Sequence, residues 1–397
     1  MKKYVIAMIL FLIYVPSFSE DKVEFTAITK EMDVSINKSL RWLAGQQRAD
    51  GYYSCGIGNR VGYGYDAHFY GAHVGVTAIA GMAFLANGHV PGVGPYGKVM
   101  EKIVKAVVSA IQKNGYITLN HSRMYSHSFA TLFLAEVYGM TMDKDVKKAL
   151  IRSVNLIVKN QNKLGGWRYN PEAADSDLSV VVCLVQALRA ANNAGIYVSR
   201  SVIDNSLKYI KSMVYKKEKA ADVKRSIFGR PYKDPRENEG GFYYQEMGRD
   251  GQEERVTFAI CAAGVTALHG TGIYEGRELE GGYQFLKQRY MNNAFPRLVP
   301  VEGYAINRIG LMKYGNVYLR PRVQNFQFFY GHYYAVQAFH QKGGRDWRMW
   351  FSRLRKEILS VQYEDGHYMD EVGECYATAM ATLILSLPKG YLPIFQR

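Results

Sequence analysis

The sequence predicts an all-α protein, an α6/α6 toroid in which six helix pairs close into a double ring. Three observations predict it. Amphipathic and wholly apolar helical segments alternate along the chain. The two members of most pairs are joined by a glycine turn followed by an aromatic residue. The pairs number six, which suits closure, whereas a linear superhelix would accept any number.

The chain has 397 residues, 48% of them hydrophobic. Residues 1–19 read as a secretory signal peptide. Met1-Lys2-Lys3 is a basic start, Tyr4 to Val15 is an apolar run, and Pro16 ends it. Ser17 and Ser19 are small residues at the −3 and −1 positions of a cleavage site. The chain is therefore expected to be exported, to the periplasm or beyond the cell. No later stretch is long and apolar enough to cross a membrane, so residues 20–397 are expected to form one toroid without an integral span.

Loss of the leader takes Lys2 and Lys3 and lowers the net charge of +15 by two. A basic protein could meet anionic lipid, acidic polysaccharide or nucleic acid. Export excludes nucleic acid as the expected partner. Lys and Arg are scattered apart from Tyr215–Arg236, the pattern of a solvated basic surface.

The first helix of each pair has one apolar stripe. In Lys98–Ile111 it runs through Val99, Ile103, Val107 and Ile111. In Asp145–Asn160 it runs through Val146, Leu150, Val154 and Ile157. One stripe means one buried face. The second helix is apolar all round, as in Val74–Leu85, Ser179–Ala191 and Thr257–Leu268, so it is covered on most sides. The pairs begin near residues 35, 97, 143, 201, 278 and 346. An apolar inner ring inside an amphipathic outer ring satisfies both patterns.

The links within pairs share a form. They include Gln47-Arg-Ala-Asp-Gly51-Tyr52, Gln112-Lys-Asn-Gly115-Tyr116, Gln161-Asn-Lys-Leu-Gly165-Gly166-Trp167, Glu239-Gly240-Gly241-Phe242 and Gln362-Tyr-Glu-Asp-Gly366-His367-Tyr368. Glycine supplies the positive φ that stops a helix. The fifth pair lacks the form. Insertions near 215–239 and 292–325 read as loops or lids.

These links resemble the QW motif of the prenyltransferase and squalene-oxidase repeat, found in terpenoid cyclases and protein prenyltransferases. The resemblance extends over essentially the whole mature chain. It implies a central cavity inside the ring. Asp175-Ser176-Asp177-Leu178-Ser179 resembles the Asp-x-Asp-Asp-Thr motif of squalene–hopene-type cyclases, with Leu178 in place of the last acid. By that resemblance Asp177 would be the acid that protonates an isoprenoid; if the protein is an enzyme, Asp175 and His127 are expected to tune or orient that acid. The zinc set of the protein prenyltransferases is not matched, because Glu374-Cys375 follows His332 rather than preceding it. No CxxC pair is present, and neither metal nor cofactor is expected.

Aligning the starts of the inner helices brings His73, His127, Asp177, Glu254, His332 and Glu374 to one mouth. Tyr330, Tyr333 and Tyr376 are expected to line it. Carboxyl and imidazole groups so gathered suit acid–base chemistry. Alternatively they cap helices, since an acid there takes up free N–H groups. Three function classes follow. The protein transforms or binds an isoprenoid-like apolar ligand by acid chemistry. It is a carbohydrate-active (α/α)6 enzyme, a hydrolase or lyase, pairing Asp177 with Glu374 or Glu254. Or it is a non-catalytic binding toroid. The expected partner is a small apolar or glycan ligand. Cys55, Cys183, Cys261 and Cys375 suggest no pairing, and nothing indicates an oligomeric state.

Overall fold

The computed structural model describes residues 27–61, 64–215, 238–245, 256–291, 312–314, 317–319 and 327–396. The expected leader and most of both expected insertions lie outside the described residues.

Six outer helices are α1 (Lys30–Gln46), α3 (Gly97–Ser109), α5 (Lys144–Lys159), α7 (Arg200–Ser212), α9 (Arg277–Met291) and α11 (Gly344–Ser360). Six inner helices alternate with them: α2 (Val74–Leu85), α4 (Met124–Thr141), α6 (Leu178–Asn193), α8 (Phe258–Gly270), α10 (Phe328–Lys342) and α12 (Glu374–Ser386). Each inner helix packs on the next, and α12 packs back on α2. The ring is closed, not a linear superhelix. The stripe of α3 buries Met100, Ile103, Ala106 and Val107, whereas every residue of α2 is buried.

The links explain the closure. Gly51, Gly115, Gly165, Gly240 and Gly366 all have positive φ, between 78° and 102°. Each sits against a backbone carbonyl of the next outer helix. A Cβ at Gly51 would lie 2.5 Å from Lys102 O of α3, and one at Gly165 would lie 2.3 Å from Asn205 O of α7. Gly366 meets Lys38 of α1 in the same way, so the last link joins the first helix. The link glutamines add hydrogen bonds over the same seam. Gln161 Nε2 donates to its own turn at Gly165 O (3.0 Å) and to Val202 O of α7 (2.8 Å). Gln362 Nε2 donates to Gly366 O and to Ser35 O of α1, both at 3.0 Å.

Two short hairpins interrupt the expected all-α pattern. Strands β1 (Ser54–Val61) and β2 (Gly64–Ala72) pair antiparallel, with Ser54 opposite Ala72. They lie between α1 and α2, and Gly56 N donates to Val372 O (2.9 Å), bridging the first and last links. Strands β3 (Met312–Tyr314) and β4 (Val317–Leu319) form a second hairpin within the 292–325 insertion.

The middle of the ring is filled where an open cavity was expected. Helices α4 and α10 stand opposite each other, yet the Phe129 and Tyr333 rings have centroids 5.9 Å apart. Tyr334 Oη lies 2.9 Å from Cys183 Sγ of α6, and Tyr330 donates to Ser179 O (3.0 Å). The aromatic face of α10 thus packs through the bore. Cys55, Cys183, Cys261 and Cys375 are all buried. Among the described residues no helix is long and apolar enough to cross a membrane.

Replacing Gly165 by Ala is expected to destabilise more than replacing Gly94. Both have positive φ, but a Cβ at Gly94 has nothing within 4 Å. Gly94→Ala should cost about 1 kcal/mol from backbone strain, and Gly165→Ala about 2 kcal/mol beyond that because the next helix must shift. Denaturant midpoints with equal slopes would measure the difference, and equal losses would refute the close-approach argument.

Candidate functional site

Asp177 begins α6 and is completely buried. Its local backbone is set by two neighbouring links: Asp177 N donates to Trp167 O (3.1 Å) and Leu178 N donates to Tyr244 O (3.0 Å). The Oδ1 atom accepts from Val180 N (3.0 Å), which caps the helix, and from Ser179 Oγ (2.5 Å). Tyr244 Oη donates to Oδ2 at 3.4 Å. The capping reading of this residue holds, and a hydroxyl network is built on top of it.

The network leads outward along two arms. On one, Ser179 Oγ is in short contact with Tyr125 Oη. On the other, Tyr244 Oη is in short contact with Tyr169 Oη. Tyr125 and Tyr169 are half-buried, with ring centroids 6.0 Å apart. Arg123 and Arg168 lie over the Tyr169 ring at 5.4 and 5.2 Å. Arg168 also pairs with the half-exposed Asp175 and lies 3.9 Å from Asp177. A buried carboxyl therefore reaches the surface through tyrosine hydroxyls, under a rim of aromatic faces and guanidinium groups.

Burial is the largest influence on Asp177 and pushes its carboxyl up to about 6; Ser179, the Val180 amide, Arg168 and Tyr244 pull the other way. Burial also raises Tyr244 and Tyr125, helped by the charge of Asp177. The site therefore favours a neutral carboxylic acid under mildly acidic conditions.

The other expected residues divide. Tyr330 belongs to the cluster, donating to the backbone of Ser179, and Tyr376 lies near enough to influence it. Glu374 sits apart and accepts from Tyr70 of β2 (3.3 Å). Glu254 lies outside the described residues. His127 does not tune Asp177. It is wholly buried, its Nδ1 accepts from Ile117 N (3.0 Å), and its Nε2 donates to Ser153 O of α5 (3.2 Å). Thr77 and Thr378 do the same work in other pairs, accepting from Tyr53 N and Tyr368 N. His127 is thus a link clamp on the outer side of its helix, and burial lowers it to about 4. His332 also faces outward, its ring among Phe328, Phe258 and Trp350 of α11. His73 caps α2 by accepting from Val76 N. Tyr333 fills the bore. A shared position along a helix did not mean a shared face, because these histidines point one way and Asp177 another.

Sequence reasoning missed Arg168, Tyr169, Ser179 and Tyr244. A signal for two of them exists. Tyr169 and Tyr244 each stand two residues after a link aromatic, in Trp167-Arg168-Tyr169 and Phe242-Tyr243-Tyr244.

The fold and this cluster define the molecule as an α/α toroid with a polar, tyrosine-rimmed acid at the inner-helix N-termini. No family model matches the chain, and no curated protein matches it in sequence. Solved structures do match it in shape. The GH76A α-1,6-mannanase of Salegentibacter sp. HEL1_6 is similar with a TM-score of 0.55 at 9% identity, over 89% of this chain and 98% of that one. The type II terpene cyclase MstE from Scytonema is similar with a TM-score of 0.54 at 11% identity, over 92% and 100%. An unsaturated glucuronyl hydrolase specific for heparin is similar with a TM-score of 0.54 at 11% identity, over 89% and 96%. These likenesses establish the toroid fold that the chain shares with all three.

Two outcomes follow. The raised Asp177 holds its proton better folded than unfolded. Its contribution to stability is present below about pH 4 and is lost as pH rises through about 6, a swing of about 3 kcal/mol. Asp177→Asn should remove that swing from a pH series of unfolding free energies while keeping the cap. His127→Ala should cost at least about 2 kcal/mol, because it strands the Ile117 amide and the Ser153 carbonyl. Denaturant unfolding checks this, and an unchanged stability would contradict the clamp role.

Proposed function

We propose that the protein binds a carbohydrate chain at the N-terminal mouth of its inner ring. Tyr125, Tyr169, Tyr244 and Tyr330 form the platform, and Asp177 is the acid that organises their hydroxyls. The observation that carries the reading is the pair of hydroxyl arms ending at neighbouring, half-buried tyrosines whose rings are tilted to each other by 36°. A sugar offers apolar ring faces and many hydroxyls. Tyrosine meets both with one side chain, having an apolar body and a polar tip. Arg123 and Arg168 extend the rim with donors. Two of the similar structures are of proteins that act on glycans, the mannanase and the glucuronyl hydrolase. Residues 1–19, read as an export leader, suit a protein that meets glycans outside the cytoplasm.

Binding is favoured over hydrolysis. Glycoside cleavage needs two carboxyl groups flanking the bond. Among the described residues, Asp175 is held by Arg168, Glu374 is bonded to Tyr70, and Asp177 is covered by hydroxyls. An isoprenoid ligand is less favoured, because the bore it would enter is packed by Phe129 and Tyr333. The raised pKa of Asp177, which keeps its carboxyl protonated under mildly acidic conditions, is the feature that suits acid chemistry on such a ligand.

Titration calorimetry with neutral oligosaccharides, uronate-containing oligosaccharides and a squalene-type isoprenoid should show binding of at least one sugar class and none of the isoprenoid. Tyr169→Ala and Tyr244→Ala should each weaken it about tenfold, a loss of about 1.4 kcal/mol. Absence of sugar binding, or binding untouched by both substitutions, would sink the proposal.

A further inference from the structure

The chain continues past α12 and crosses the far end of the ring. Gly390 reverses it with φ of 68°. The following turn, Pro393–Phe395, packs on α6, which stands opposite α12 across the bore. Leu392, Ile394 and Phe395 are buried. The Phe395 ring lies 6.0 Å from Tyr333 of α10, and Gln341 Nε2 donates to Gln396 O at 2.8 Å. Ile394 and Phe395 roof a cavity of about 20 Å³ whose walls include Gln186, Arg189, Thr266 and Gln337. That is room for about one water molecule.

This roof covers polar groups that lack partners. Glu136 of α4 is buried, and its Oε2 has no hydrogen-bond partner. Gln186 Nε2 donates to Gln337 Oε1 (2.5 Å), and Gln337 Nε2 to Tyr333 O (2.8 Å), which leaves Gln186 Oε1 without a donor. The groups that act on Glu136 are the Ile394 amide from the tail, which favours its charged form, and the neutral Tyr333 from α10. Arg189 of α6, in the cavity wall, is engaged by His269 O and by Tyr274 Oη. A buried carboxylate here would be poorly compensated, and such a charge is costly.

We propose that residues 391–396 are a releasable plug on the second mouth of the toroid, and that Glu136 is its pH-sensitive latch. Protonated, Glu136 tolerates the cover. Ionised, it draws water and unseats the tail, which uncovers the polar floor of the ring. Burial pushes Glu136 up to about 7 from an ordinary value of 4.5. A group raised in the seated state favours seating below its ordinary value and loses that advantage as pH rises through the raised one. The unseating constant should therefore rise on the order of 40-fold between pH 5 and pH 7. The inference does not depend on the sugar-binding reading, which concerns the opposite mouth.

Hydrogen exchange of the full chain, read by mass spectrometry and corrected for intrinsic rates, tests it. Tail amides at 394–396 should lose protection by tens of fold from pH 5 to pH 7, while core amides of α4 and α6 hold theirs. Glu136→Gln should make tail protection independent of pH. Phe395→Ala should lower tail protection at every pH. The proposal is overturned if tail protection ignores pH in the parent, if it falls equally in Glu136→Gln, or if the core amides lose protection in step with the tail.

Discussion

At five links a glycine with positive φ lies against a backbone carbonyl of the next outer helix, and that contact sets the spacing of the whole ring. The approach is closer than any Cβ permits, so one outer helix is held against its successor through main chain rather than through adjustable side chains. Gln47, Gln161 and Gln362 tie the same seam by donating both to their own turn and to the following helix. Because the contact repeats with the same sense, each pair is rotated from the last by a similar amount. Gly366 against Lys38 is the point where the rotation completes the circle.

Closure has a consequence for the inner helices. Their apolar surfaces face neighbours on two sides, the outer ring on a third and the bore on the fourth. In this chain the fourth side is also packed, because α10 carries Tyr330, Tyr333 and Tyr334 toward the axis. Two polar clusters of the inner ring lie toward its two mouths. At the N-terminal end polar groups converge on Asp177 and its hydroxyl arms. At the C-terminal end Glu136, Gln186 and Gln337 lie under the chain's own tail. A carboxyl group is buried at each end, and in both cases loss of water is what raises it.

Much of the fold was legible in the residues. The alternation of striped and wholly apolar segments located all six pairs, with outer helices starting at 30, 97, 144, 200, 277 and 344 against expected starts near 35, 97, 143, 201, 278 and 346. The hairpin of β1 and β2 was not foreseen, since it carries no helical period and lies in what read as a link. For the site, Asp177 stood out through its local acid motif, and Tyr330 through its place near the start of an inner helix. His127 and His332 were grouped with them by position along the helix. A helix offers four sides at nearly one height, and a single residue's sequence position does not say which side it takes when all sides are apolar.

The sequence by itself determined the periodicity, the number of pairs and the glycine turns, because each follows from local backbone preference and the burial of one or all helix faces. Tertiary structure alone decided which polar groups meet. Asp177, Tyr244 and Tyr125 come from three successive pairs, and Tyr330 from a fourth. Their meeting depends on the rotation per pair and on ring closure, and no local propensity encodes a distance between residues so far apart in the chain. The tail's seat on Glu136 has the same origin, since only a closed ring places α6 opposite α12.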